Sequence, residues 1–299
     1  MIAAELRLPS LIRICRPRQW VKNLLVAAAP LAAGILWQPQ VALRVLVLFL
    51  ILCAVSSAGY IVNDIKDVGY DRAHPDKRNR PIASGEMPIN AAALLSIGLT
   101  VIGMLPAALV FGWPVSIGIL GYLVISWSYS LGLKRAAGLE MLLVASGFVA
   151  RAVVGGLGTD TRLSTWFLLF IGVTALFIVV GKRLSELVRV ERLPGIEADA
   201  RKALRRYTPE YLRAIAWLSA IVAIGSYIVW TVTRGIYENE PVILALSAAP
   251  LAVCFIRYMA MISRGMAEAP EDGLLRDPWI VSSALLWLAL FAASVDVGA

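Results

Sequence analysis

The sequence predicts an all-α, polytopic membrane protein with about nine transmembrane helices, and two observations support this prediction. Of the 299 residues, 59% are hydrophobic and 16% are charged, whereas a soluble domain averages about 45–50% apolar and about 25% charged residues. The charged residues are concentrated between long apolar stretches, and mean hydropathy is +0.76. This composition excludes an ordinary soluble domain, and it excludes a disordered chain because disorder requires few apolar side chains.

The predicted helices are apolar windows long enough for a bilayer core about 30 Å thick, which needs about 20 helical residues. Phe111, Gly112 and Pro114 divide one long uncharged window into two spans, as a tight turn would. Arg257 extends the eighth span to Met261 by snorkelling. The nine spans are 23–43, 45–63, two within 87–133, 139–157, 163–181, 214–233, 241–256 and 278–295. We expect them to form one membrane domain, residues 1–299.

Basic residues are distributed asymmetrically among the predicted loops. The segments 1–22, 64–86, 134–140, 182–213 and 262–278, with the adjacent Arg257, hold 24 of the 28 lysines and arginines; only Arg44, Arg151, Arg162 and Arg234 lie elsewhere. Cytoplasmic loops carry such an excess. We therefore expect a multi-pass protein of the inner (plasma) membrane, with a cytoplasmic N-terminus and a site that faces the cytoplasm.

The few cysteine and histidine residues and the net charge of +8 limit the kinds of site and partner that this chain can have. Three scattered cysteines without a CxxC pair argue against a disulfide framework or a zinc site, and His74 is the only histidine. Excess positive charge indicates anionic lipid or a phosphate-bearing substrate. A nucleic-acid partner is not expected, because there is no separate basic domain to bind it.

An acidic cluster lies at the predicted cytoplasmic end of the second span. If the helix continues, Asp64, Asp67 and Asp71 share one face at i, i+3 and i+7, and Asn63 lies four residues before Asp67. Like charges at this spacing repel one another, and Mg²⁺ is a counter-charge that takes oxygen ligands from both protein and phosphate. We therefore predict that these four residues bind Mg²⁺. The alternative is a solvated helix end whose acids pair with neighbouring cations.

Four cations follow the acids within ten residues: Arg72, Lys77, Arg78 and Arg80. Acids that hold a metal beside a basic cluster are typical of diphosphate binding, because the cations neutralise the remaining oxygens. Prolines and a glycine in the same stretch predict an ordered loop.

The residues 63–71 (NDIKDVGYD) and 71–85 (DRAHPDKRNRPIASG) resemble the first aspartate-rich motif of the UbiA superfamily of membrane prenyltransferases. Further motifs resemble its decaprenyl-phosphate phosphoribosyltransferase branch and extend the resemblance over nearly the whole chain. They are 16–23 (RPRQWVKN), 129–134 (YSLGLK), 151–156 (RAVVGG), 181–187 (GKRLSEL), 207–213 (YTPEYLR) and 270–277 (PEDGLLRD).

This resemblance implies a UbiA-type helix bundle and a Mg²⁺-dependent reaction. In that reaction 5-phosphoribosyl 1-diphosphate and decaprenyl (polyprenyl) phosphate give polyprenyl-phosphoryl-ribose 5-phosphate and diphosphate, for decaprenyl-phosphoryl-arabinose and cell-wall arabinan. It implies catalytic roles for Asp64, Asp67 and Asp71. The implied substrate-binding residues are Arg18, Lys22, Asn63, Lys77, Arg78, Arg80, Tyr129, Lys134, Arg151, Lys182, Arg183 and Glu186.

The second inner loop departs from the common family pattern. Ordinary UbiA prenyltransferases carry a second aspartate-rich motif there, whereas this sequence has Lys182, Arg183 and Glu186. We expect these residues to bind phosphate oxygens of the donor, and the alternative is an ion pair at the end of the helix.

Several of the implied site residues also have structural interpretations. Lys22 and Lys134 are also explained as anchors at the membrane surface, and Tyr129 as part of an interfacial aromatic belt. Arg151 lies inside a span, where a charge is costly without a partner. Glu140 or a helix-end carbonyl would provide one.

Two other functions remain open at this point: a UbiA-type prenyltransferase acting on a quinone or haem precursor, and a membrane transporter. A homo-oligomer also remains open.

Overall fold

A computed structural model describes residues 9–75, 77–192, 207–238, 241–267 and 276–294, and helices joined by turns make up these ranges. Asp76 and residues 270–275 of the C-terminal motif lie outside the described residues. The chain divides into two compact units, Met1–Arg162 and Leu163–Ala299, and each is described by itself. The expectation of one membrane domain therefore stays a prediction.

The part of unit 1 that the structure describes contains seven α-helices. A 3₁₀ helix, Pro17–Ala27, connects the first α-helix to the second. A π turn, Ala107–Phe111, directly follows the fifth α-helix. Short 3₁₀ helices, Lys77–Asn79 and Leu133–Arg135, lie in two of the loops. The α-helices are α1 (Ser10–Arg13), α2 (Ala28–Ala32), α3 (Pro39–Lys66), α4 (Val68–Ala73), α5 (Ile89–Pro106), α6 (Trp113–Leu131) and α7 (Leu139–Gly158).

The core of unit 1 surrounds α3, which packs against α5, α6 and the 3₁₀ helix Pro17–Ala27. Leu48, Leu52 and Val55 on α3 are fully buried against Ile119 on α6. Full burial of one such side chain stabilises a fold by about 1.5–3 kcal/mol where the alternative is water. This packing holds the C-terminal end of α3 in place.

In its described residues, unit 2 contains five helices: α8 (Thr165–Arg192), α9 (Pro209–Glu238), α10 (Pro241–Leu246), α11 (Ala248–Ser263) and α12 (Pro278–Ser294). Helices α8 and α9 pack side by side, and so do α11 and α12. Asp277 caps α12, because its Oδ1 accepts hydrogen bonds from the N–H groups of Trp279 (3.0 Å) and Ile280 (3.1 Å). Arg257 donates to its Oδ2 at 2.7 Å, and this bond lowers the pKa of Asp277.

Seven helices in the described part of the chain are long and apolar enough to cross a bilayer: Pro39–Lys66, Ile89–Phe111, Trp113–Leu131, Leu139–Gly158, Thr165–Arg189, Pro209–Arg234 and Ile243–Ser263. The apolar helix Pro278–Ser294 is shorter. The prediction of an all-helical protein with several apolar spans is therefore confirmed. The count of nine crossings stays a prediction.

The predicted boundary between the first two spans is wrong. The sequence predicts this boundary at Arg44, but the chain turns over residues 33–38, and Arg44 lies within α3. Arg44 is accommodated there because it donates hydrogen bonds to the carbonyl of Gly158 (3.2 Å) and to Asp160 (2.9 Å) near the end of α7. Residues of the predicted first span form the 3₁₀ helix and α2 instead of one long α-helix.

A glycine allows the first apolar segment to approach α7 closely. A Cβ atom built on Gly155 would overlap the backbone carbonyl of Val26, whereas one built on Gly121 in α6 would meet no atom within 4 Å. Gly155 is therefore required for packing, and Gly121 is not.

We expect Gly155→Ala to destabilise the protein by about 1–3 kcal/mol, because backbone atoms must move to make room. The matched variant Gly121→Ala should be neutral or slightly stabilising. Thermal unfolding in detergent, followed by circular dichroism, measures both. Equal melting temperatures for the two variants would contradict the close approach.

Candidate functional site

The candidate site lies at the junction between the C-terminal end of α3 and the start of α4. The backbone turns at Asp67, with φ −95° and ψ 6°. Hydrogen bonds nevertheless continue across the turn, from the Asp67 N–H to the Asn63 carbonyl (2.9 Å) and from the Asp71 N–H to the Asp67 carbonyl (2.8 Å). The acids therefore project from two nearly continuous helices.

Two of the acids share one cation. Asp64 and Asp71 are 3% and 1% exposed. Arg80 Nη1 lies 3.2 Å from Asp64 Oδ1 and 2.7 Å from Asp71 Oδ2, and Arg16 Nη2 also donates to Asp64 Oδ1. The two arginines offset the cost of burying two like charges, which would otherwise be several kcal/mol per ion.

The third acid points to a different cation. Asp67 accepts hydrogen bonds from Lys134 Nζ at 2.6 and 2.5 Å, and Asn63 Oδ1 accepts one from the same nitrogen at 3.2 Å. Lys134 lies in the short 3₁₀ helix after α6. The end of α6 is thereby joined to the end of α3 at the site.

The expectation that the three aspartates converge on one face is not confirmed. In the described residues, no three carboxylate, histidine or cysteine groups form a metal-binding cluster. The physical reason is the turn at Asp67, together with the cations that hold each acid.

The donor set nevertheless suits a hard cation. Asp71 Oδ1 is buried and has no hydrogen-bond partner in the described part of the chain, and an unsatisfied buried charged oxygen is costly. Carboxylate oxygens are the ligands that Mg²⁺ takes from proteins. Asp71, with Asp64 beside it, therefore fits a divalent cation.

Sequence reasoning missed Arg16 as a site residue. The sequence instead predicts Arg18, which is exposed, and Lys22, which hydrogen bonds to Gln19, and their roles in substrate binding stay predictions. Arg16 adopts a left-handed conformation with φ 51° and ψ 61°, and its guanidinium also lies 5.4 Å from the ring centroid of Tyr60. Arg16 belongs to the motif 16–23, but the sequence does not show which cation of this motif points towards the acids.

Hydrogen bonds hold the described residues of the basic loop in place. The Met87 N–H donates to the Pro81 carbonyl at 2.9 Å, and Arg13 holds the loop from α1 by donating to Glu86 (2.9 Å) and to the Asn79 carbonyl (2.6 Å).

The loop cations differ in their surroundings. Lys77 is half-buried, 5.0 Å from the ring centroid of Tyr70, and burial, reinforced by the charge of Arg80, lowers the pKa of Lys77. Arg78 is exposed, and Arg72 donates to the Ala83 carbonyl. Arg80 is therefore the loop cation that contacts the acids.

Arg151 has structural partners inside unit 1. It is 5% exposed and donates to Asn23 Oδ1 (2.8 Å), the Gly147 carbonyl (2.8 Å) and the Tyr122 hydroxyl (2.9 Å). The sequence offers a helix-end carbonyl or Glu140 as the partner, but the Gly147 carbonyl lies within α7, one turn before Arg151. Asn23 and Tyr122 were not predicted, because both lie far from Arg151 in the sequence. A role in substrate binding stays a prediction.

The remaining predicted residues have the following positions. Tyr129 is half-buried in α6. In unit 2, Lys182 is exposed, and Arg183 pairs with Glu186 at 2.8 Å. This ion pair is the alternative that the spacing offered, and donor binding by these three residues stays a prediction.

Comparison with known proteins identifies the family. The model of the UbiA prenyltransferase family matches residues 24–276. The chain belongs to the UbiA prenyltransferase family. It is 38% identical to the decaprenyl-phosphate phosphoribosyltransferase of Mycobacterium tuberculosis, over 96% of this chain and 94% of the relative. The enzyme of the same name from Corynebacterium glutamicum is 36% identical, over 96% of this chain and 87% of the relative. The resemblance to this branch of the UbiA family is thereby confirmed.

Solved structures agree at the level of the UbiA fold. A UbiA homolog from Archaeoglobus fulgidus bound to DMAPP and Mg²⁺ has a TM-score of 0.71 and 17% identity, and covers 97% of this chain and 100% of its own. The apo structure of a UbiA homolog from Aeropyrum pernix has a TM-score of 0.65 and 16% identity, over 93% and 98%. At these identities the likeness shows the fold alone.

We expect Mg²⁺ to raise the melting temperature of the wild-type protein by several degrees, because a ligand that binds only the folded state stabilises it. In Asp71→Asn this increase should be lost. Asp160→Asn is the control, since Asp160 is an exposed acid paired with Arg44. An unchanged Mg²⁺-dependent increase in Asp71→Asn would remove Asp71 from the metal site.

Proposed function

We propose that this protein transfers the 5-phosphoribosyl group from 5-phosphoribosyl 1-diphosphate to decaprenyl phosphate and releases diphosphate. The observation that carries the proposal is near-full-length similarity, at 36–38% identity, to relatives that bear the name of this activity. The interleaved acids and cations at the end of α3 support it, because a diphosphate donor requires both. The bond from ribose C1 to the diphosphate oxygen breaks, and a bond from C1 to a lipid phosphate oxygen forms.

Asp71 and Asp64 are the residues whose positions suit Mg²⁺, and Asp67 and Asn63, which hold Lys134, remain candidate ligands because of their sequence pattern. When bound, this ion would supply positive charge to the diphosphate of the donor. The neutral Asn63 adds an oxygen without adding negative charge. Buried Asp64 and Asp71 are fixed by their arginine partners before any substrate arrives, so binding requires little reorganisation.

Arg16, Arg80 and Lys134 are the cations that we expect to contact the phosphate oxygens. Each is held beside the acids, at 2.7 Å for Arg80 and Asp71 and at 2.6 Å for Lys134 and Asp67. Charge-assisted hydrogen bonds to phosphate are stronger than neutral ones. These cations stabilise the charge that develops on the leaving diphosphate, while ribose C1 gains oxocarbenium character.

The reaction needs no residue to deprotonate the acceptor. A lipid phosphate is already anionic near neutral pH, so its oxygen can attack C1 directly. Catalysis then consists of positioning and electrostatic stabilisation. This agrees with a sequence that contains a single histidine, His74, whose ring centroid lies 5.9 Å from that of Tyr70.

The match to the family model also supports a proposal about the membrane domain as a whole. It spans residues from both units, so we propose that residues 1–299 act as one membrane domain with about nine crossings in the inner (plasma) membrane. The distribution of basic residues favours a cytoplasmic N-terminus and a site that faces the cytoplasm. Lys182, Arg183 and Glu186 remain candidates for donor binding because of their sequence pattern.

We expect the purified protein to form a labelled lipid from labelled 5-phosphoribosyl 1-diphosphate and decaprenyl phosphate, only with Mg²⁺ present. Asp67→Ala should reduce this transfer at least about 100-fold, because it removes a carboxylate from the site and leaves Lys134 without its acidic partner. Scintillation counting of the extracted lipid measures the product, and Asp160→Ala is the folded control.

Two results would contradict the proposal. Full transfer by Asp67→Ala would remove the acidic cluster from the mechanism. Product from a prenyl diphosphate and a quinone or haem precursor, with none from the phosphoribosyl donor, would assign the protein to the other UbiA activity.

A further inference from the structure

Unit 1 has an open groove between α3, α5 and α6, away from the candidate site. Its volume is about 520 Å³. The walls are almost entirely apolar, and Lys66 is the charged residue that lines it. The apolar lining includes Val62 and Ile65 from α3, Ile97 and Val101 from α5, and Leu131 from α6.

The groove and the acids occupy opposite faces of α3. Val62, Ile65 and Lys66 share one side of the helix, because residues three and four apart are neighbours at 100° per residue. Asp64 points to the other side, where Arg80 meets it, and Asn63 lies between the two sides, where it meets Lys134. The groove is therefore not part of the phosphate-binding arrangement.

The groove has the shape expected for a lipid chain. From Ala93 to Val101, α5 lines about 12 Å of its length, at 1.5 Å per residue. Apolar side chains on the same helices are exposed, with Leu94 at 70% and Leu131 at 62%. Exposed apolar side chains on membrane-spanning helices face lipid, so an apolar chain has direct access to the groove.

Two polar groups at the groove lack a partner. Lys66 is the last residue of α3 and is exposed, and in the described ranges its ammonium makes no ion pair or hydrogen bond. Trp127 also lines the groove, and its indole Nε1 is buried without an acceptor among the described residues. A buried indole N–H normally has an acceptor. Both groups would be satisfied by oxygen atoms of a ligand.

We propose that this groove binds an anionic glycerophospholipid of the bilayer. One acyl chain lies along α5, and the phosphate contacts Lys66 at the end of α3. A basic residue at the membrane surface beside an apolar groove between helices is the arrangement that binds anionic head groups. The charge at Lys66 favours this occupant over a second copy of the chain, which would need a partner carboxylate.

The position of the groove also argues against the acceptor substrate as its occupant. A polyprenyl phosphate in this groove would have its phosphate at Lys66, on the face of α3 opposite Asp64 and Arg80. The groove would therefore be a separate lipid site, and this inference does not depend on the transferase activity.

Native mass spectrometry of the delipidated full-length protein, titrated with phosphatidylglycerol or phosphatidylcholine, tests this proposal. We expect phosphatidylglycerol to bind more tightly. Lys66→Ala should weaken its binding about fivefold, because one basic residue near the surface contributes about that factor. Ala93→Trp should abolish binding by filling the groove. The matched controls are Arg162→Ala, an exposed arginine outside the groove, and Leu94→Trp, an exposed neighbour of Ala93.

Three results would overturn the proposal. One is equal phosphatidylglycerol binding in Lys66→Ala and wild type. Another is displacement of phosphatidylglycerol by an equimolar amount of decaprenyl phosphate, which would assign the groove to the acceptor. The third is a change of oligomeric mass in Ala93→Trp with lipid binding unaltered, which would assign it to a second copy. Melting temperatures of the variants without lipid exclude misfolding as the cause of any loss.

Discussion

The contact between Arg80 and two buried carboxylates is the interaction on which the rest of the site depends. Asp64 and Asp71 are both nearly inaccessible to solvent, and two such acids cannot remain ionised side by side without nearby positive charge. Arg80 provides it from the loop after α4, and Arg16 provides it from the segment before the 3₁₀ helix. Electrostatics therefore holds three separate segments of unit 1 together at one point.

The same arrangement explains how a site rich in aspartate can receive a substrate rich in phosphate. Lys134 and Arg80 are held by acids in the free protein, so their charges are in position before the donor arrives. The left-handed conformation of Arg16, at φ 51°, costs roughly 1–2 kcal/mol for an L-residue. Its contact with Asp64 offsets this strain, and strained residues of this kind concentrate at functional sites.

The sequence predicts those parts of the fold that depend on local composition. Uncharged windows identify α5, α6 and α8 because a bilayer requires long apolar helices. The predicted boundary between the first two spans at Arg44 is wrong because the partners that accommodate Arg44 within α3, Gly158 and Asp160, lie more than a hundred residues away in the sequence. At the site, the acids and Lys134 were predicted, but Lys134 as the partner of Asp67 was not. A pairing between distant segments depends on how helices pack, which local patterns do not encode.

The most direct test of this account is the apparent affinity for 5-phosphoribosyl 1-diphosphate in two variants of one motif. Arg16→Ala removes one of the two arginines that contact Asp64, and Arg18→Ala removes an exposed cation two residues away. The account predicts donor binding about 10- to 100-fold weaker in Arg16→Ala, the range expected for a lost charged hydrogen bond, and near-wild-type binding in Arg18→Ala. Equal affinities, or the greater loss in Arg18→Ala, would contradict it.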